Sequence, residues 1–449
     1  MKDGLFFCDE HKTELSHGSY LYYCNTDQYK RSGLDIFFTL PMDKYNSPLI
    51  RLMFAVICRG SKNFPTITHI SKHLDNLYDS SFYTRDYRIG ANHVFRLSCY
   101  TIDNKYLPQK HKDLDLIAES FKVVRDILTC PLLDSQGLLT KKYVESEREF
   151  TIDNIRARLN SPKAYSSIRC SEMLFGDQIE GTNIEGTEEL LRNYTREEIT
   201  AAREYFLKNS AIDVYYVGTH TSERVAEIVR PLFEDIGERT PILPAQKRPV
   251  SPVTLSQKQE EFNLSQGILK LGLTCGTVIG DRDSAAILLY NEILGGSAAS
   301  KLFVKVREEN SLCYYCDSRI DMCTGALIIS CGIKPENKDR ALESILLQIE
   351  EMKRGNITDE EIQCAKKSIV NGLNQVTDTV SALSLSDFRY RILTDKPISV
   401  EQRKKDILAV TRKQLTEVAE KVNLCSVFFL TSSETQDATQ YDTEDFDDE

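Results

Sequence analysis

Apolar residues recur along this 449-residue chain with two alternating periods. Short runs of strand length, LDIFFTLP at 34–41 and GILKLGLTCG at 267–276, are apolar almost throughout, as strands buried on both faces are. Other segments place apolar residues three and four apart, the mark of a helix with one face against a core, and residues 350–390 read as almost wholly helical. The elements also repeat in order. TKKYVESEREFTIDNI at 140–155 and TDEEIQCAKKSI at 358–369 both open on threonine and continue at helical spacing, offset by 218. YTREEITAAREYFLKNSAIDVYYV at 194–217 parallels VTRKQLTEVAEKVNLCSVFFL at 410–430, and LDNLYDSS at 74–81 parallels YNEILGGS at 290–297, each pair offset by 216. A constant spacing over three elements predicts a duplicated unit of about 220 residues. The fold class expected is therefore α+β, with two tandem homologous α/β-sandwich domains closing like a clam shell. The predicted divisions are residues 1–235, a linker at 236–262 that holds four prolines, residues 263–434, and a tail at 435–449 with seven acidic residues and no basic one.

Composition narrows the function classes. Hydrophobic residues make up 41% and charged residues 27%, the balance of a soluble globular protein. The net charge of −11 argues against a broad nucleic-acid footprint. The opening MKDGLFFCDEHKTE has too short an apolar run for a secretory signal, and no later run reaches the roughly 18 apolar residues of a membrane span, so a cytoplasmic protein is expected. Thirteen cysteines then read as reduced thiols. Cys313 and Cys316 form a C-x-x-C in a segment that reads as strand and turn, where a redox dithiol would normally open a helix. The acidic tail is expected to stay solvated, with a basic partner as the alternative.

One stretch raises the question of a metal. In THISKH, His69 and His73 stand four apart on a predicted helix and so share a face. A glutamate just before the second histidine would complete the pattern of a zinc hydrolase, but Lys72 stands there. Ile70, Leu74, Leu77 and Tyr78 form the apolar stripe of this helix, which puts the histidines on its wet flank. With a third ligand such as His93 or Asp86 they would form a zinc site; without one they are surface residues.

The segment GGSAASKLFVKVREENSLCYY from Gly295 resembles the second-domain signature of the insulinase or pitrilysin family of peptidases: a Gly-Gly after a helix, a Ser-x-Leu-Phe, then R-E-x-x-x-L-x-Y. LFGDQIEGTNIEGTEELLRNYTREEI at 174–199 is similar to a first-domain stretch of the same family. Together with the duplication, the resemblance covers about residues 30–432. It implies that an active member would carry H-x-x-E-H on a first-domain helix, with a distant glutamate as third zinc ligand. Aligned on the turn CRGSKNFP, those positions fall here on Arg51, Phe54 and Ala55, and the distant ligand falls on Asn154, beside Asp153. None of the four suits zinc, since arginine carries a fixed positive charge, phenylalanine and alanine have no ligand atom, and an amide is a poor ligand. Glu147, seven residues before Asn154, matches a second acidic position of the family helix.

The resemblance further implies that Arg307 and Tyr314 match the arginine and tyrosine that reach from the second domain to a bound peptide. A guanidinium and a phenol donate hydrogen bonds that strengthen as charge grows on a carbonyl oxygen. The residue-level alternative is an Arg307 paired with Glu308 or Glu309 and a Tyr314 packed in a strand. A chain with this pair and no metal motif resembles the inactive subunit of bacterial two-chain members. The expectation is a non-catalytic subunit that binds peptide and completes the active site of a zinc-bearing homologue, as a heterodimer, or a homodimer when isolated. No cofactor is expected on this chain, zinc only on the partner, and no nucleic acid or membrane. SSFYTRDYR at 80–88 is the candidate sheet edge for an extended peptide. The competing expectations are a structural scaffold and, last, an independent zinc peptidase built on His69 and His73.

Overall fold

A computed structural model describes residue 7 and residues 12–262, 264, 266–394 and 396–432; the acidic tail at 435–449 lies outside the described residues. Two mixed sheets organise the chain. Strands β1 (Thr13–Ser16), β2 (Ser19–Asn25), β3 (Arg31–Pro41), β4 (Ser81–Ile89), β5 (Asn92–Ile102) and β6 (Ala211–Gly218) form the first, in the order β1-β2-β6-β3-β5-β4. Strands β7 (Ser256–Phe262), β8 (Gly267–Thr274), β9 (Cys313–Asp321), β10 (Ala326–Ile333) and β11 (Asn423–Ser432) form the second, in the order β7-β11-β8-β10-β9. The β2/β6 and β7/β11 pairs are parallel and the other pairs antiparallel. Setting β1 aside, the two orders correspond strand for strand.

The long apolar runs are central strands buried on both faces. One face of the first sheet packs against helices including Asn46–Ile57, Leu116–Thr129, Arg196–Asn209 and Ser222–Ile236, through Ile36, Phe38, Leu97, Met53, Phe121 and Phe206 among others. The second sheet is covered in the same way by Ser284–Asn291, Lys338–Lys353 and Arg412–Glu420. Thr195 and Thr411 start equivalent helices, each with its hydroxyl accepting from the backbone N–H three residues on and the Glu198 or Gln414 side chain reaching back.

The other face of each sheet is covered from the opposite half of the chain. Helix Val380–Thr394 lies on the first sheet, where Phe37 and Phe388 stack with centroids 4.0 Å apart and the Tyr215 hydroxyl donates to Asp387 at 3.0 Å. Helix Pro162–Phe175 lies on the second, with Cys170, Leu174 and Phe175 against Ile268, Cys425, Phe428 and Leu430. Glycines permit both approaches. A Cβ on Gly33 would stand 2.4 Å from Val380, and one on Gly272 would meet Ser426 at 2.4 Å and Leu174 at 3.2 Å.

Three expectations need correction. The helix of THISKH spans Ile67–Asp75 and stops before the end of its predicted stripe, because Tyr78 and Asp79 take left-handed backbone conformations (φ 58° and 55°) that turn the chain into β4. Ile70 and Leu74 reach the core, whereas Leu77 joins a separate cluster with Leu107 and Leu116. The predicted linker at 236–262 begins inside a helix, and its last seven residues are β7. Polar SQKQEEF lacks the apolar pattern of a strand because it is largely exposed beside β11. β1 and β2 also precede the first predicted strand.

Replacing Gly272 with leucine is expected to lower stability by about 1–3 kcal/mol, the usual range for overpacking. A urea titration checks this; an unchanged midpoint would mean that the crossing helix does not depend on the close approach.

Candidate functional site

Helix Asn46–Ile57 carries the three degenerate motif positions. Phe54 points into the core, with its ring 4.9 Å from Phe95 and 5.9 Å from Phe206. Ala55 is half-buried and offers no polar atom. Arg51 is the informative one. Its Nε donates to Asp86 Oδ2 on β4 at 2.9 Å, and a terminal nitrogen reaches Glu185 Oε1 at 3.3 Å. His93 on β5 stands 3.2 Å from the same Asp86 oxygen, and Arg158 lies 2.9 Å from the other oxygen of Glu185. Two carboxylates thus converge on a guanidinium, at the position that the alignment on CRGSKNFP gives to the first histidine of the motif.

The electrostatics follow from that arrangement. Burial alone would raise the Asp86 carboxyl, but the His93 ring and the Arg51 charge outweigh it and hold the group below its usual range. Burial pushes the His93 ring down despite Asp86, which favours the neutral ring with its Nε2–H donating to the carboxylate. Nδ1 of His93 is then buried without a hydrogen-bond partner among the described residues.

The remaining candidates of the first sheet lie apart from this cluster or contribute little to it. Asn154 and Asp153 are exposed on helix Lys141–Leu159, where Asp153 lies 3.7 Å from Arg156. Glu147 on the same helix is buried, its carboxyl raised by burial against the pull of Arg59 at 3.4 Å. His69 is exposed and its Nδ1 bonds the Thr66 hydroxyl at 2.8 Å, while half-buried His73 packs on Phe64. Of the two ligands considered for them, Asp86 is paired with Arg51 and His93 is bonded to Asp86. Among the described residues no group of three or more His, Cys, Asp or Glu is arranged to hold a metal ion.

Strand β4 is an edge, paired with β5 on one side only, and Tyr83 on it is 56% exposed. In the second sheet the corresponding edge is β9, which carries Tyr314. Register across β9 and β10 runs Cys331↔Cys316 and Gly332↔Tyr315, then Ile333↔Cys313, so Tyr314 is the extra residue of a β-bulge. A bulge re-aims side chains. It brings Cys313 and Cys316, three apart in sequence, onto the same core-facing side and leaves Tyr314 48% exposed. The Cys316 and Cys331 thiols, with Arg307 nearby, hold the Cys313 thiol below its usual range. The C-x-x-C thus lies on a strand, and these thiols are free.

Arg307 belongs to the π-helical segment Leu302–Glu309. A π-turn inside a helix shifts the side chains that follow and is frequent at functional sites. The Arg307 guanidinium lies over the Phe303 ring at 4.5 Å and 3.4 Å from Glu308, with both charged side chains partly exposed. Glu309 pairs with Lys305 instead. No hydrogen bond of the Tyr314 hydroxyl and no bond between Arg307 and Tyr314 is present among the described residues, so both donors face outward. The sequence reading missed Glu185 and Arg158; single charges in a loop and on a polar helix give no periodic signal.

The fold is a mixed α/β scaffold of two sheets, and the positions aligned by sequence with a zinc motif hold an arginine, a phenylalanine, an alanine and an asparagine. Residues 193–369 match the family described as "Peptidase M16 inactive domain". The chain is 26% identical over 410 residues to the "Probable inactive metalloprotease YmfF" of Bacillus subtilis, covering 91% of this chain and 95% of that one. It is 21% identical over 391 residues to the "Uncharacterized zinc protease YmxG" of the same organism, covering 84% and 92%. A solved structure of a conserved protein from Enterococcus faecalis V583 superposes with a TM-score of 0.84 at 23% identity, over 95% of this chain and 99% of that one. The chain is thus similar over most of its length to relatives named as metalloproteases, one of them as probably inactive, and within it residues 193–369 match the M16 inactive domain.

Removing the cation should expose the cost of the two carboxylates. Arg51→Met is expected to destabilise the fold by about 2 kcal/mol, less than a fully buried pair loses because part of each side chain meets solvent. A stability measurement at neutral pH checks it. Because the folded state opposes protonation of His93, its contribution is fully present above about pH 6.5 and is lost as pH falls toward the depressed value. Asp86 adds a further loss below about pH 3.9. Urea titrations between pH 7.5 and 5 should therefore show declining stability, and His93→Gln should flatten the decline.

Proposed function

We propose that this chain is a non-catalytic subunit that binds peptide and completes the active site of a homologous, zinc-bearing partner. The single observation that carries the reading is a contrast between the two sheets. Around Arg51 the acidic groups are satisfied by guanidinium, whereas Arg307 and Tyr314 keep their donors exposed beside a sheet edge. A guanidinium and a phenol so displayed donate to a peptide carbonyl, and their bonds tighten as the oxygen gains negative charge. The partner's zinc would supply the activated water. Peptide is held in extended form by backbone pairing along β4, which tolerates many sequences. The correspondence of strand orders, crossing helices and threonine caps supports a duplicated unit, and on this reading the two copies enclose the peptide together. Activity in the cytoplasm is part of the same proposal.

A scaffold role is favoured by one feature only, the contact of Arg307 with Glu308 and Phe303. One assay separates the two. The chain is mixed with a homologue carrying intact H-x-x-E-H, and hydrolysis of a quenched peptide is followed. The expected outcome is a rate above that of either chain alone, with Arg307→Ala and Tyr314→Phe each lowering it by about 10²–10³ while the complex still forms. An unchanged rate on mixing, or variants as active as the parent, would overturn shared catalysis.

A further inference from the structure

Each crossing helix leaves a hollow beside the sheet that it covers, and the two hollows differ in charge. In the first, lined by Arg85, Arg96, Tyr100 and Ser381, the buried cation is neutralised. Arg96 Nε donates to Asp35 Oδ1 at 3.0 Å, and the Tyr100 hydroxyl donates to the same oxygen at 2.8 Å. In the second, a hollow of about 320 Å³ between β8, β9 and β10 and helix Pro162–Phe175, the buried cation is Lys270. It is 5% exposed and its Nζ donates to the Ser330 hydroxyl at 2.8 Å. Among the described residues no carboxylate lies within ion-pair distance of it.

The rest of the lining adds positive charge. Lys163 and Arg319 face the hollow and Arg88 enters from β4, against Asp317 and Asp321. Those acids are engaged by Arg319 and Arg88, each at 3.6 Å. A buried cation whose one bonded partner is a hydroxyl is costly, and an anion beside it recovers that cost. Burial also pulls the Lys270 ammonium below its usual range, which a bound anion would reverse. The volume suits more than a bare ion, being at the lower end of small-molecule pockets. Phe175, Ile320, Ala326 and Ile328 supply apolar wall for an attached side chain.

We propose that this hollow binds the terminal carboxylate of a peptide, with the carboxylate on Lys270 and its last side chain against the apolar wall. The choice of a peptide as occupant rests on the function proposed above; the charge argument does not. Arg88 lies near the end of β4 and touches Asp321 at the end of β9, so a strand paired along β4 has the hollow at one end of its path.

The test is calorimetric titration of the full chain with N-acetyl-leucine, with N-acetyl-leucine amide and with inorganic phosphate. The acid is expected to bind about ten-fold more tightly than the amide, the value of one charge-assisted hydrogen bond. Lys270→Met should abolish that preference, and Lys163→Ala, at an exposed position that leaves the core intact, should reduce it. Equal binding of acid and amide, phosphate binding as tightly as the acid, or an unaltered preference in Lys163→Ala and a folded Lys270→Met would each overturn the proposal. If Lys270→Met fails to fold, Arg319→Ala replaces it and must reduce the preference. These probes are too short to pair along β4, so failure here leaves the shared-catalysis reading to its own assay.

Discussion

The reciprocal crossing of two helices is the constraint on which the rest of the structure depends. Phe37, Val94 and Tyr215 on the first sheet, and Ile268, Phe428 and Leu430 on the second, are buried by helices contributed from the other half of the chain. Separating the halves would strip one apolar face from each sheet, at about 25 cal/mol for every Å² exposed. The two edges, β4 and β9, therefore hold a fixed relation to each other, and the ion pair of Arg88 with Asp321 lies between them. Any peptide bound between the halves meets a prearranged frame.

Within that frame the position aligned with the first ligand of the family motif would not become a metal site by a single substitution. A guanidinium has no lone pair to offer a metal and keeps its charge at any physiological pH. Asp86 now depends on it for neutralisation, Glu185 shares it with Arg158, and burial disfavours the charged form of His93 behind Asp86. A histidine at position 51 would leave the partly buried Asp86 without its guanidinium and Glu185 with Arg158 alone, while Phe54 remains wedged between Phe95 and Phe206. The aromatic packing and the ion network make the lost motif part of the architecture.

What was legible in the sequence follows the strength of each physical signal. Central strands such as LDIFFTLP and GILKLGLTCG were plain because burial on both faces demands unbroken apolar runs. The helix opened by Thr358 was plain because a capping threonine has local chemistry. β7 was hidden, since an exposed strand that pairs through its backbone needs no apolar side chains. The end of the THISKH helix was hidden as well, because Tyr78 and Asp79 adopt φ values that their side chains do not advertise. That Arg51, Phe54, Ala55 and Asn154 are poor zinc ligands could be read from residue type alone. That Asp86, His93 and Glu185 gather around Arg51 could not, because the contacts join a strand, a second strand and a loop far apart in the chain.

The bulge at Tyr314 shows how one inserted residue separates packing from display. In a regular strand, residues 313 and 316 would face opposite sides, and a Tyr314 one step from Cys313 would alternate in register with the rest. With the extra residue, Cys313, Cys316 and Cys331 gather on the core side, so the sheet stays anchored to its helices. Tyr314 is released from the ladder and from packing. The side chain most exposed by this device is the one that the family signature picks out, and the core behind it loses nothing. An exposed tyrosine in a regular edge strand would suggest simple surface packing. An exposed tyrosine lies here on a bulge next to a π-helical turn that carries Arg307, and on the proposed function both irregularities would serve the presentation of two hydrogen-bond donors.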